Sequence, residues 1–426
     1  MVDVARPHTT PDEVPHTLTE QAPRTLGTLD QAALWGNLGV SLLGFTGAIF
    51  VLQPFGEGTP YVSLTAALVA VVVGTAVGAA AVAAVAAIGA RTGAPTMVLL
   101  RGVFGARAST VPTVLNVVQM VGWGTFEIVT IATALTQVVP GVPRWAWVLT
   151  CGAATIALAV RPLGSVRLLR RWVSIAVVIA LLWLAGNLIG QSGGLSGGSG
   201  GWSGFGVGVD VTLAVGISWV PMAADYARHS RTVRSAVVGA FAGTTVMGVA
   251  CYAIGLVALV SVADGPDQVF ASFLAVPLGV LAFLVVTVRE LDQSFANVYA
   301  TTVSTQALRP RWDRRVVSVV VGVLVTVLAL AVRIDNYESF LYAIGSVFLG
   351  LLAVLLVDYL VAGRRWDLSE TSATRWVLLL PWAAGIAAYY LIPPGPLVSR
   401  SLVSFLVAAA ATGLVHGLAW SVRRTV

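Results

Sequence analysis

The chain has 426 residues, 57% of them hydrophobic and only 10% charged, with a mean hydropathy of +0.87. That composition excludes a soluble globular domain and implies a polytopic membrane protein. The net charge of +6 comes with 25 basic residues, every one Arg, and calls for no nucleic-acid partner, because loop arginines set membrane topology.

Residues 1–30 are polar and proline-containing, without the apolar run of a signal peptide, and are expected to form a disordered cytoplasmic tail. Twelve apolar segments follow, at about 32–54, 61–89, 111–139, 144–161, 168–190, 210–226, 234–262, 269–304, 315–332, 338–362, 374–392 and 399–421. Most reach the roughly 20 residues that a bilayer crossing takes. With the N-terminus inside, 21 arginines fall in inside loops and tails, only Arg144, Arg333 and Arg400 outside, and Arg289 within the eighth segment. A miscounted helix would reverse that bias, so twelve spans with both termini cytoplasmic are expected, in a plasma (inner) membrane. Cys151 and Cys251 lie inside apolar segments and four histidines are scattered, so neither a disulfide framework nor a metal site is implied.

The first segment is interrupted by Gly36, Gly39, Gly44 and Gly47. Clustered glycines mark either close packing or a break, and a break at Gly44–Gly47 would free carbonyls able to bind a cation. The second segment, rich in Ala, Val and Gly (Gly74, Gly78), reads as scaffold. The loop 89–107 is long and partly apolar, consistent with a short inner helix. In the third segment Asn116, Gln119, Trp123 and Glu127 recur at spacings of three and four and so share a helical face. A charge near the bilayer centre costs at least about 2.5 kcal/mol, so that face is expected on a polar cavity or a partner. Interhelical hydrogen bonding around a packing Trp is the alternative.

Residues 191–209 form a Gly/Ser-rich extracellular linker between two five-helix halves, 31–190 and 210–362, with two peripheral helices and a short tail in 363–426. The linker lacks the Gly-Lys-Ser/Thr of a phosphate loop. The sixth segment carries Ser218-Trp219 between Gly216 and Pro221, and Pro removes a backbone donor, so a kink or unwinding is expected there. Interrupted first and sixth segments, each opening a half, point to a transporter site between them. Trp219 is a second aromatic wall or a structural Trp. Asp225 and Arg228, three apart at the inner end, are expected as an ion pair or gate. The eighth segment groups Arg289, Glu290, Asp292, Gln293, Ser294 and Asn297 at membrane depth, a functional signal unless the set is a purely structural ion network. Arg289 is expected to pair with Glu290 or Asp292.

Gly89-Ala-Arg-Thr-Gly-Ala-Pro95, Gln119-x-x-Gly-Trp123, Asp225-Tyr-x-Arg228, Asp292-Gln-x-Phe-Ala-Asn-x-Tyr299 and Leu43-Gly-Phe-Thr46, taken in order and spacing, resemble the nucleobase:cation symporter family, and most of all its purine–cytosine permease-like group. The resemblance runs from about 30 to 420. It implies an all-α polytopic fold with a five-plus-five inverted repeat of the leucine-transporter type, broken helices 1 and 6, and two extra C-terminal helices. It implies a heterocycle held by Trp123, Glu127, Ser218, Trp219 and Asn297. In sodium-coupled members, helix 1 carbonyls and helix 8 side chains hold Na⁺, which carries onto Gly44, Gly47, Asp292, Gln293 and Ser294. Gln119 and Ala48 complete the candidate substrate set. The chain departs from the pattern at Glu127, where a neutral or small residue is more usual, and at Asp292-Gln293, where a Ser/Thr pair is more usual. An acid can bind a proton where a neutral hydroxyl holds Na⁺, so the coupling ion is left as H⁺ or Na⁺.

The expectation is a secondary active importer of a nucleobase-like heterocycle (cytosine, a purine or a related pyrimidine) by cation symport. No cofactor beyond the coupling ion is called for, and neither nucleic acid nor an obligatory protein partner. The alternative is a transporter of another small solute, such as an amino acid, on the same fold. A membrane enzyme is disfavoured, because no His-rich face or Ser/His/Asp set lies at one depth.

Overall fold

The computed structural model describes residues 14–56, 62–164, 172–191, 201–261, 268–332, 337–393 and 399–425. Nearly all of them are helical, since in a bilayer each segment has to close its own backbone hydrogen bonds. The first segment is α1 (Thr28–Gly39), α2 (Leu42–Gly47) and α3 (Ile49–Leu52), bent by 54° after α1. The break falls at Val40 and Ser41, both extended. Gly44 and Gly47, where the break was expected, lie inside α2. Glycine permits an interruption, but the freed backbone groups need partners, and these stand opposite Val40–Ser41.

The first half continues with α4 (Leu64–Thr92), the short helix α5 (Thr96–Ala108), α6 (Thr110–Val138), α7 (Arg144–Val160) and α8 (Ser174–Gln191). The second half is α9 (Phe205–Trp219), a 3₁₀ turn at Val220–Met222, α10 (Ala223–Ala227), α11 (Val233–Ser261), α12 (Val269–Ala275), α13 (Gly279–Arg289), α14 (Leu291–Leu308), α15 (Arg314–Ala331) and α16 (Tyr337–Ala362). Two further helices close the chain, α17 (Leu379–Leu391) and α18 (Arg400–Thr425). The sixth segment thus changes helix type at Pro221, as the missing amide donor requires. Of the expected linker, residues 192–200 lie outside the described residues, and α9 already begins at Phe205.

Among the described residues, eight helices are long and apolar enough to cross a membrane, and the bent first segment makes a ninth. α7 and Trp376–Leu391 are shorter apolar helices. The eighth segment, α13 with α14, carries the ionisable residues. These together account for the twelve segments, and the chain is a multi-pass membrane protein.

α4 is the scaffold between α9 and α11. It crosses α9 at Gly78 and Gly216, so closely that a Cβ on either would lie 2.9 or 2.6 Å from the other's Cα. α1 runs along α11 and α6 along α14, while side chains of the third and eighth segments reach the sixth and first, Gln119 to the Ser218 carbonyl and Gln293 to the Val40 carbonyl. The C-terminal pair is tied on by buried carboxylates. Asp210 on α9 accepts from the Arg400 and Ser401 amides at the start of α18 (2.8 and 3.3 Å), and Asp358 on α16 takes Arg375 at 2.6 Å and the Trp366 indole at 2.8 Å.

Residues 1–13 lie outside the described residues, but 14–27 are packed rather than disordered. Leu26 forms an isolated parallel bridge with Ser230, with its amide on the His229 carbonyl at 2.9 Å. The His16 carbonyl accepts from the Arg314 amide and the Gln306 side chain, both at 2.8 Å. The composition of this stretch is polar, but its backbone carbonyls meet donors at one end of the bundle, and that fixes it.

Candidate functional site

The break in α1 leaves carbonyls at the end of α1 and amides at the start of α2 without helical partners. The eighth segment supplies them. Arg289, the last residue of α13, donates through Nη1 to the Asn37 carbonyl and through Nη2 to the Val40 carbonyl. Gln293 Nε2 donates to the Leu38 and Val40 carbonyls at 3.0 and 2.6 Å. Glu290 Oε1 accepts from the Leu42 amide at 3.1 Å and the Ser41 hydroxyl at 2.9 Å. A cation therefore meets the negative end of α1 and a carboxylate the positive end of α2, each complementary to its helix dipole. The guanidinium is also paired with Glu290 at 2.6 Å and Asp292 at 3.3 Å, so both expected partners of Arg289 are engaged. The side chains of Arg289, Glu290, Asp292 and Gln293 are all buried.

Beside the break lies a cavity of about 30 Å³, lined by Ser41, Leu43, Gly44, Trp123, Glu127, Val215, Ser218, Trp219, Tyr252 and Gln293, with Leu38 and Gly39. Trp123 and Glu127 come from α6, Ser218 and Trp219 from α9 one residue before the 3₁₀ turn. The volume suffices for only one or two waters, so a ring enters only as the walls part. Trp123 packs edge-on against Phe340 of α16, ring centroids 5.2 Å apart at 72°. Glu127 is 1% exposed, and its Oε2 has no hydrogen-bond partner among the described residues. The ionisable groups facing it are Glu290, whose carboxyl lies within side-chain hydrogen-bond reach of the Glu127 carboxyl, then Arg289 and Asp292.

The polar face of α6 continues away from this cavity. Gln119 donates to the Ser218 carbonyl at 3.2 Å and Asn116 to the Ser304 hydroxyl at 2.8 Å. Thr113, one turn further, lines a second cavity of about 480 Å³ with Arg101, Thr110, Arg309, Trp312 and Glu370. Between the broken segments and the bundle end at Ser230, the Tyr226 ring sits between Trp35 (6.4 Å, 82°) and Tyr299 (5.3 Å, 50°).

The remaining expected residues are placed differently. Asn297 is fully buried beside Gly124, and neither of its amide atoms has a partner among the described residues. It does not line the cavity. Ala48 packs on Gly255, and Gly47 faces the Tyr252 hydroxyl. Ser294 turns to α7, where its hydroxyl accepts from Thr155 at 2.9 Å. Asp225 and Arg228 form no ion pair among the described residues. Asp225 instead caps α5, accepting from the Thr96 amide at 2.9 Å, while Arg228 donates to the Tyr299 hydroxyl at 3.3 Å. A helix N-terminus with unsatisfied amides is the better partner for a buried carboxylate that packing has already placed against it. Reasoning from sequence missed Ser41, Tyr252 and Phe340. Ser41 is an N-cap type two residues after Gly39, a signal that was available, but the two aromatics stand in apolar helices with nothing to mark them.

Among the described residues, a multi-pass helical bundle whose first segment is broken and whose sixth changes helix type beside a small, mainly apolar cavity has the layout of a membrane transporter. Residues 20–392 match the family described as permeases for cytosine/purines, uracil, thiamine and allantoin, and the chain belongs to that family. No curated protein shows a significant sequence match to the chain. Among solved structures, the chain is similar to Mhp1, a nucleobase-cation-symport-1 family transporter, in a closed conformation with bromovinylhydantoin bound (TM-score 0.79, 18% identity, 97% of this chain and 96% of that one). It is also similar to the inward-facing conformation of Mhp1 (0.71, 16%, 99% and 96%). A Na⁺-coupled sialic acid symporter in a substrate-bound outward-open state shares the fold as well (0.64, 9%, 93% and 90%). These likenesses establish the fold.

Proposed function

We propose that this permease imports a nucleobase-like heterocycle across the plasma membrane by cation symport, through alternating access of one helix bundle against the other. The observation that carries this reading is the enclosure of Trp123, Trp219, Glu127 and Ser218 around one cavity at the junction of the two broken segments. Indole faces suit a flat ring. The Glu127 carboxyl, set against Glu290 and with no donor on Oε2 among the described residues, suits ring N–H or amino groups, because a buried acceptor left without a donor is costly. The amides of Gln119 and Asn297 keep buried polar atoms without partners among the described residues, Oε1 in Gln119 and both amide atoms in Asn297. They stand ready one shell further out. The family's range of substrates, one of them cytosine, agrees with this chemistry.

The route is read in the same way. The ladder Glu127, Trp123, Gln119, Asn116, Thr113 leads along α6 to the larger cavity near Arg101 and Arg309. By the arginine distribution that end faces the cytoplasm, and the aromatic group Trp35–Tyr226–Tyr299 lies towards the same end. Substrate release then requires that group or its neighbours to separate.

The test is ligand-dependent thermal stabilisation of the purified protein with cytosine, adenine, guanine, hypoxanthine, uracil, hydantoin, allantoin and leucine. A compound that binds only the native state raises Tm. Stabilisation by one or more of the heterocycles, lost in Trp123→Ala, supports the proposal. Stabilisation by leucine alone would replace it with amino-acid transport on the same fold.

A further inference from the structure

The carbonyls at a helix break are a ready cation site. The family resemblance puts Na⁺ between the first and eighth segments, with the carbonyls expected at Gly44 and Gly47, but the break frees carbonyls at the Asn37–Val40 end instead. In this chain the oxygens are already taken. The Asn37 and Val40 carbonyls both accept from the Arg289 guanidinium, and Val40 accepts from Gln293 as well. The acids that would otherwise favour a metal ion, Glu290 and Asp292, are paired with the same guanidinium. Ser294, the hydroxyl expected at the site, faces Thr155 on α7. A sodium ion needs several of these oxygens at once and cannot share them with a planar cation that bonds to each.

We propose that the Arg289 guanidinium is a built-in cation that takes the place of Na⁺ at the α1 break, so that this transporter neither binds nor requires sodium there. The proposal rests on the transporter reading only for its consequence in transport, since the occupancy of the site is a matter of geometry. Three observations converge on it. Arg289 is 1% exposed, so its charge has been carried to membrane depth, which is tolerated only with dedicated partners. Its two Nη atoms reach two carbonyls three residues apart, Asn37 in the last turn of α1 and Val40 in the break itself. Glu290, its neighbour in sequence, holds the Leu42 amide on the other side of the break. One dipeptide thereby satisfies both ends of the interrupted helix.

The experiment needs no substrate. Tm of the wild-type protein is measured in NaCl, KCl and choline chloride at equal ionic strength, and again for Arg289→Ala and Arg289→Lys. Wild type and Arg289→Lys are expected to show no Na⁺-specific shift. In Arg289→Ala the freed carbonyls, with Glu290 and Asp292, become an open acidic site, and Na⁺ but not K⁺ is expected to raise Tm by several degrees. A Na⁺-specific rise in wild type overturns the proposal. So does an Arg289→Ala protein that elutes as a single species, melts cooperatively and ignores Na⁺. If Arg289→Ala does not fold, the wild-type and Arg289→Lys arms decide alone. Because no heterocycle is present, a negative result here is separate from failure to find a substrate.

Discussion

Glu127 and Trp123 stand one helical turn apart on α6 and line the same cavity. Their physical roles differ, so their substitutions are expected to differ too. Glu127 Oε2 is buried without a partner among the described residues, and a hydrogen bond to a charged group contributes about 1.5–3 kcal/mol. Glu127→Ala should therefore weaken binding of an N–H-bearing heterocycle by roughly 10- to 150-fold. A stacked base on an aromatic ring is worth about 1–3 kcal/mol. Trp123→Ala should lose about as much, and Trp123→Phe should recover most of it. Isothermal titration with whichever compound stabilises the protein decides both, and unchanged affinity in Glu127→Ala removes that residue from the site. At this scale the sequence was informative for residues whose chemistry is out of place in a bilayer, Glu127 and Arg289 among them. Phe340 and Tyr252 line or support the same site from apolar helices, and aromatic residues there carry no such mark. The Asp225 cap was missed for another reason: its partner, the Thr96 amide, is 129 residues away in the chain.

Each broken or crossing element owes its form to a neighbour. α4 and α9 approach so closely at Gly78 and Gly216 that any side chain meets backbone. Overpacking costs about 1–3 kcal/mol where neighbours can yield, and backbone yields least. Gly216→Leu is accordingly expected to lower Tm by several degrees or to abolish assembly, and an unchanged Tm would show that α9 can move off α4. The packed N-terminal stretch allows a pH prediction. His229, in the turn between α10 and α11, is fully buried, with Nδ1 donating to the Pro23 carbonyl at 2.9 Å. Burial first, then the Arg228 and Arg314 guanidiniums, push its pKa down to about 3 against that hydrogen bond. The unfolded imidazole titrates near 6.5, so between about 6.5 and 3 the unfolded state binds the extra proton. This contribution is intact above about pH 6.5 and is lost as pH falls towards 3. His229→Gln should flatten that part of the stability–pH curve, and an identical slope in the variant would mean that another group sets it. The paired interruptions of the first and sixth segments could be read from Gly and Pro, yet the first break lies a few residues before Gly44. Glycine content shows where a helix is weak, whereas the break forms where Arg289, Glu290 and Gln293 meet the freed backbone, and that depends on a helix some 250 residues later.

For the whole molecule, the resident guanidinium constrains the energetics of transport. A coupling ion drives alternating access by binding one conformation more tightly than the other and then leaving on the far side. Arg289 is covalently held and cannot leave, so it can organise the junction but cannot carry a gradient. If Na⁺ is displaced from that junction, as proposed, symport is expected to run on protons. Each unit of inward proton gradient is worth about 1.4 kcal/mol, a roughly tenfold accumulation for one proton per substrate. In sodium-free proteoliposomes, an inwardly directed proton gradient (acid outside) is expected to drive uptake of the stabilising heterocycle well above equilibration, and a proton ionophore to abolish the overshoot. An inward Na⁺ gradient without a pH step is expected to give equilibration only. Overshoot driven by Na⁺ alone would place a sodium site elsewhere in the bundle. Equilibration under both gradients would make the protein a facilitator, with Arg289 acting purely to hold the two halves of the first helix together.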